Sequence, residues 1–131
     1  MEDFAIRRAT IADLAEIRDW LKREYDESFG DGFWCNIGII EDAQKDGALT
    51  VLASLPDDLP VAFCVSDPSN IHIFEVKPDS RRQGFGRKLA EHIIAEARYS
   101  GSMGMIGQCR PETSVPFWEM IGFIKLKDVH A

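Results

Sequence analysis

Two hydrophobic periods divide this chain. FAIRRA (4–9) is a short apolar-polar run that predicts a first strand. Thr10 then offers a helix N-cap, with Asp13 three residues on. Leu14, Ile17 and Leu21 recur at helical spacing and predict an amphipathic helix over 11–25. YDESFGDGFW (25–34) reads as a loop, and NIGIIEDAQKDG (36–47) as a shorter helix closed by Gly47. The period then changes. ALTVLASL (48–55), PVAFCVS (60–66) and NIHIFEV (70–76) are strand-like, and PDDLP and DPSN separate them as turns. Such short connections predict antiparallel neighbours. In the next helix Phe85, Leu89, Ile93 and Ala97 stand four apart on one face, with Ala90 and Ile94 beside them. SGSMG (100–104) turns the chain, MGMIGQCR (103–110) reads as a buried strand, PFWEM (116–120) as a short helix and GFIKL (122–126) as a last strand. The order β-α-α-β-β-β-α-β-α-β predicts an α+β fold, a mixed, mostly antiparallel central sheet flanked by helices. At 131 residues the chain suits a single domain over 1–131.

Composition narrows the function classes. A net charge of −7 disfavours nucleic acid and anionic membrane as partners, because both are bound through excess Lys and Arg. No apolar run is long enough to span a bilayer, and the start MEDFAIRRAT lacks a signal-like apolar segment, so a cytoplasmic protein is expected. Cys35, Cys64 and Cys109 form no CxxC pair, and His72, His92 and His130 show no ligand spacing with them. Neither a disulfide framework nor a metal site is expected.

Against that acidic background RRQGFGRKLAEHI (81–93) stands out. It sets Arg81, Arg82, Arg87 and Lys88 around Gly84 and Gly86 where a loop gives way to a helix. Glycines let the backbone turn tightly or be approached closely. The first amides of a helix carry partial positive charge and point outward, so this corner suits an anion, with phosphate the natural guest. A dinucleotide fingerprint is not met, since Leu89 stands where its third glycine belongs, and GxxxxGK[ST] is absent. A helix start with solvated basic residues is the plain alternative.

Arg81-Arg82-Gln83-Gly84-Phe85-Gly86 resembles the Arg/Gln-x-x-Gly-x-Gly/Ala signature of the GNAT superfamily of N-acetyltransferases. IHIFEVKP before it is similar to that family's central fourth strand with its Val-x-Pro ending, and PFWEMIGF (116–123) to its late Phe-Tyr-x-x-x-Gly-Phe segment. The predicted element order over 4–126 is also GNAT-like, so the resemblance covers nearly the whole chain. It implies that the anion is the pyrophosphate of acetyl-CoA, held by the backbone amides of Gln83, Gly84, Gly86, Arg87 and Lys88 with the basic side chains as counter-charges. Phe85 lies within the same motif. It further implies that the fourth strand splays from the fifth, leaving backbone groups from Phe74 to Val76 to pair with the pantetheine arm. A backbone amide there would serve the thioester carbonyl.

Acetyl transfer to an amine needs a base to remove the amine proton. His72 and Glu75 are the alternatives on the fourth strand, His72 titrating near neutrality and Glu75 requiring a raised pKa. The departing thiolate needs a proton, yet Trp118 stands where many GNAT enzymes carry a tyrosine, and an indole N–H cannot serve as that acid. Trp118 is therefore read as a core or cofactor-packing aromatic. Ser114 is a weak substitute as acid and a better helix cap, while Cys109 suits a small strand-end residue. No cysteine is placed as a nucleophile, so direct attack is expected.

In GNAT-like proteins the first two helices and their loop often wall the acceptor site. Here that stretch holds Asp26, Glu27 and Asp31 with Phe29, Phe33 and Trp34, which suits a cationic amine, whether a small molecule or a peptide amine. The equal alternative is a loop whose aromatics plug the core. The expected activity is thus an acetyl-CoA-dependent N-acetyltransferase acting on a primary amine. The rivals are a non-catalytic acyl-CoA-binding or regulatory module, favoured by Trp118, and a nucleotide-phosphate binder. The last strand ends near the C-terminus, which leaves open whether a further strand is missing or donated in a homodimer. The acceptor's identity and the acyl preference are not written in the sequence.

Overall fold

The computed structural model describes residues 3–27, 34–101, 106–107 and 115–123. Five strands, β1 (Phe4–Arg8), β2 (Leu49–Ser54), β3 (Leu59–Asp67), β4 (Asn70–Val76) and β5 (Ile106–Gly107), form one sheet in that spatial order. The first four pair antiparallel, and β5 joins β4 in parallel. Helices α1 (Ile11–Glu27) and α2 (Ile37–Lys45) precede β2, α3 (Phe85–Tyr99) follows β4, and α4 (Val115–Ile121) follows β5.

The sheet is covered on both faces, which explains why its central strands are apolar at successive positions rather than at alternate ones. Ile17, Trp20 and Leu21 of α1 and Ile40 and Ala43 of α2 pack on Val51, Phe63, Val65 and Ile73. Leu89, Ala90 and Ile93 of α3 and Trp118 of α4 pack on Leu52, Ala62, Cys64 and Ile71. Ile71 and Ile73 are two apart yet lie in opposite layers. The β3–β4 register slips between Val65 and Ser66, so that Val65 faces Ile73 while Ser66 faces Ile71. His72 is the extra residue of this bulge, and the phase of the strand reverses across it.

Local signals set the helix ends. The Asp13 amide donates to Thr10 Oγ1 at 3.1 Å, and the Thr10 amide donates back to Asp13 Oδ2 at 2.8 Å, a reciprocal cap that starts α1. Arg7 of β1 donates to both Asp13 oxygens. Burial alone would raise the Asp13 pKa, but the bonds from Arg7 and Thr10 outweigh it and hold the carboxyl below its usual range. At the end of α2, Gly47 takes φ +73°, and Ala48 N and Gly47 N donate to Ala43 O and Gln44 O. Gly122 ends α4 in the same way, with Phe123 N on Trp118 O at 3.0 Å.

Two expectations are corrected. The first helix does not stop at 25 but runs to Glu27, so Asp26 and Glu27 are helical residues rather than loop residues. GFIKL does not begin a strand at 122, because Gly122 and Phe123 form the cap of α4; residues 124–126 lie outside the described residues. Of the fifth strand, only 106–107 are described. Among the described residues no helix is long and apolar enough to cross a membrane, and no cluster of His, Cys, Asp and Glu could hold a metal ion.

Candidate active site

The glycine turn sits at the carboxyl end of β4. Pro78–Ser80 make one 3-10 turn after Val76, and residues 81–84 lead directly into α3. Gly84 is the N-cap of α3 with φ +81°, a conformation that an L side chain adopts only with strain. A Cβ on Gly84 would meet nothing within 4 Å, so its surroundings are open. Gly86 serves a different purpose. A Cβ there would lie 3.1 Å from Val76 Cγ2 and 3.4 Å from the Phe117 ring, so its bareness lets α3 approach β4 and α4.

Lys88 N donates to Gly84 O at 3.1 Å, the first rung of the helical ladder. The amides of Phe85, Gly86 and Arg87 precede that rung, so they form the amide cluster at the N-terminus, and the Lys88 amide expected to join them is already engaged. Arg82, Gln83, Arg87 and Lys88 are exposed. Arg87 Nε lies 3.6 Å from Glu91 Oε1, one turn along α3. The Phe85 ring turns inward and meets Phe4 edge-on at 6.3 Å. This corner favours an anion through its amides and cations together.

On the opposite face of β4, Glu75 is buried at 6% exposure. Its cross-strand neighbour is Phe63. Trp20 of α1 packs on Phe63 with centroids 5.3 Å apart and donates Nε1–H to Glu75 Oε2 at 3.2 Å. Arg81 reaches back from the glycine turn, with Nε on Val76 O at 3.0 Å and Nη2 3.8 Å from Glu75 Oε1. Glu24, one turn after Trp20, hydrogen-bonds to Glu75. Burial first, and then the Glu24 hydrogen bond and charge, push the Glu75 pKa up to about 8, while Trp20 and Arg81 pull it down.

His72 is set apart from this cluster. It is half exposed at the bulge, and Nε2 lies 2.8 Å from Asp67 Oδ2 at the β3–β4 turn. That bond holds the Asp67 pKa below its usual value. His72 is four residues from Val76, about 13 Å along the strand.

On the α3 face the Phe74 ring meets Phe117 and Trp118 at 5.9 and 4.9 Å. Trp118 also packs edge-on against Phe117 and Phe123 and is 8% exposed. Its ring is thus committed to the core, which is the packing role rather than the acid role. Buried Cys64 is pushed up to about 12 by burial and is inert as a nucleophile. Cys109 and Ser114 lie outside the described residues, as do Phe29, Asp31 and Phe33.

Of the expected acceptor wall, Asp26, Glu27 and Trp34 fall within the described residues. Lys22 Nζ lies 3.1 Å from Asp26 Oδ1 and sits over the Tyr25 and Trp34 rings, 5.3 and 5.6 Å from their centroids. The chain's own ammonium thus lies against Asp26 and Trp34 at the surface, with the Lys22 and Asp26 side chains about half exposed, while Glu27 is exposed at the end of α1. Trp20 and Glu24 are not among the residues that the sequence pattern offered for this cluster. Their signal was present, since Glu24 stands four residues after Trp20 and three after Leu21, which puts a carboxylate on the apolar stripe of α1.

The family profile described as an acetyltransferase (GNAT) domain matches residues 40–130. The chain belongs to the GNAT acetyltransferase family. Enzymes of this family transfer acetyl groups from acetyl-CoA. Solved GNAT-like folds superpose over nearly the whole chain. An acetyltransferase of Trypanosoma brucei is 20% identical, with a TM-score of 0.68 and 96% of each chain covered. Ard1 of Thermoplasma volcanium is 17% identical, with a TM-score of 0.72, covering 94% of this chain and 84% of its own. A predicted acetyltransferase of Clostridium acetobutylicum, solved with acetyl-CoA, is 12% identical, with a TM-score of 0.67, covering 95% of this chain and 92% of its own. These likenesses show a shared fold. Among curated proteins, none matches the sequence.

Proposed function

We propose that this GNAT protein acetylates a primary amine by direct attack, with Glu75 as the base. The observation that carries this reading is the Glu75 carboxyl, which is buried, raised to about 8 and one residue from the strand end that meets the glycine turn. Acetyl-CoA supplies the acetyl group as a thioester when bound. The fit of its diphosphate to this chain is supported by the open surroundings of Gly84 and by the amides of Phe85, Gly86 and Arg87. Exposed Arg82, Arg87 and Lys88 add the counter-charge, and Gln83 lies in the same turn. Among the described residues β5 pairs with β4 at Asn70 and Ile71, and Phe74 to Val76 lie beyond that pairing, where an extended pantetheine arm would run.

Glu75 has the proton affinity suited to an ammonium substrate. A carboxylate with a pKa near the working pH combines basicity with availability, which an ordinary glutamate near pH 4.5 does not. As the C–N bond forms and the C–S bond breaks, the proton leaving the amine nitrogen would pass to Glu75, and the departing thiolate would take its proton from solvent. Of the two base alternatives, Glu75 is favoured because His72 is bound to Asp67 at the other end of β4. The amine is read at Glu24 and Glu75 rather than at Asp26 and Trp34, which already hold Lys22. Trp118 packs on Phe74 in the layer on the other face of β4 and supplies no proton to the leaving thiolate.

The test is binding followed by turnover. CoA is titrated into the protein, and acetyl-CoA is then offered with a polyamine, a lysine peptide and a peptide with a free N-terminus. Turnover that disappears in Glu75→Gln supports the reading. Binding without turnover at any pH would instead mark a binding module, and binding of ATP or NAD without CoA would mark a nucleotide site.

A further inference from the structure

Arg81 belongs to two places at once. It opens the glycine turn that leads into α3, yet its guanidinium points back to β4, on Val76 O at 3.0 Å and 3.8 Å from Glu75 Oε1. Its side chain is 54% exposed, whereas that of Glu75 is 5% exposed. The guanidinium is thus half in water at the mouth of the turn while its inner edge faces a buried carboxyl. The charged groups facing Glu75 among the described residues are Glu24 from α1 and Arg81 from the turn, and Trp20 from α1 adds a neutral donor. Glu24 and burial favour the protonated carboxyl, and Arg81 and Trp20 favour the ionised one.

We propose that Arg81 is a positioning residue that ties the protonation of Glu75 to occupancy of the phosphate turn. An anion at the α3 N-terminus competes with Glu75 for the same guanidinium. A diphosphate carries more charge than one carboxylate and lies on the solvent side, where the exposed part of Arg81 already is. The 3.8 Å separation from Glu75 is longer than a direct hydrogen bond, so the pair is held by charge more than by geometry and yields to a stronger partner. When Arg81 turns outward, Glu75 keeps burial and Glu24 but loses its cation, and it takes a proton from solvent. The base therefore reaches its full proton affinity only with the turn filled. By linkage, anything that raises that affinity on binding makes binding itself a proton-consuming step.

This inference rests on the acetyl-CoA reading of the turn, and its test separates the two. CoA is titrated calorimetrically into the full chain near pH 8.5, in buffers of different ionisation enthalpy that contain no phosphate. Wild type is expected to take up about half a proton for a one-unit rise centred on that pH. Glu75→Gln is expected to bind CoA with the uptake lost. Arg81→Gln is expected to bind CoA more weakly, also with the uptake lost. In the CoA-free protein, carbon-13 NMR of the Glu75 carboxyl is expected to titrate at higher pH in Arg81→Gln than in wild type, a readout that does not depend on CoA affinity. CoA binding with no buffer dependence, uptake that survives in Arg81→Gln, or an unmoved Glu75 titration would overturn the coupling. Absence of CoA binding in wild type would overturn the reading of the turn itself.

Discussion

Trp20 donates its indole Nε1–H to Glu75 Oε2 at 3.2 Å, and that bond joins the first helix to the strand at the centre of the site. It is a donor that favours the charged carboxyl, set against burial and Glu24, which favour the neutral one. Because Trp20 also packs on Phe63, the same ring excludes water from Glu75 and hydrogen-bonds to it. The proton affinity of Glu75 is therefore a balance among groups that can be changed singly.

Activity should follow the ionised fraction of Glu75. With its pKa at about 8 before the turn is filled, and higher once it is, the rate of amine acetylation at saturating acetyl-CoA is expected to rise with pH above about 8 and then level. Glu75→Gln should lower kcat by about 10²- to 10⁴-fold and remove the rising limb. Trp20→Phe keeps a ring but removes the donor, so the limb should move to higher pH. A steady-state pH series on the three proteins checks this, and a limb left in place in Glu75→Gln would assign it to another group.

Stability should carry the opposite dependence. Glu75 has its folded pKa raised above the unfolded value of 4.5, so between pH 4.5 and about 8 the folded state binds more protons than the unfolded one. Its contribution is most favourable below 4.5 and declines as pH rises through that window, at up to about 1.4 kcal/mol per pH unit. Glu75→Gln should therefore gain on wild type as pH rises from 5 to 8. Urea unfolding at several pH values measures the difference, and a constant gap would mean that Glu75 is ionised in the folded state.

The two glycines of the turn should fail for different reasons. Gly84→Ala faces open space but must hold φ +81°, a cost of about 1–2 kcal/mol. Gly86→Ala has an ordinary helical place but sets a methyl 3.1 Å from Val76 Cγ2, which should cost about 1–3 kcal/mol and push α3 from β4. Gly84→Asn should recover part of the loss because Asn tolerates the left-handed region, whereas Gly86→Asn should be worse than Gly86→Ala. Thermal unfolding of the four variants distinguishes backbone strain from steric contact.

Trp118→Tyr should not improve the enzyme. The smaller ring would leave space among Phe74, Phe117 and Phe123 and bring a hydroxyl into that cluster. A loss of about 1–3 kcal/mol in stability is expected without a gain in kcat. A rise in kcat would mean that protonation of the departing thiol limits turnover and that the tyrosine hydroxyl reaches it.

Local pattern was sufficient for what local physics controls. Thr10 and Asp13 cap α1 as their spacing predicts, Gly47 closes α2, and the boundaries of β1 to β4 fall within a residue of the apolar runs, because caps, turns and periodicity act over a few residues. The glycine turn at the start of α3, with its exposed cations, was also legible, since these residues are contiguous in the chain. What surrounds Glu75 was not. Trp20, Glu24, Phe63 and Arg81 come from a helix, a neighbouring strand and a turn, and only folding brings them to one carboxyl. A pKa depends on burial and neighbouring charge in three dimensions, so the sequence named Glu75 and His72 as alternatives, and only tertiary packing buries the one and leaves the other half exposed beside Asp67. Likewise the sequence set Asp26 and Trp34 in one loop, and only the fold brings Lys22 against both, because Asp26 is one helical turn from Lys22 and Trp34 returns to that face of α1.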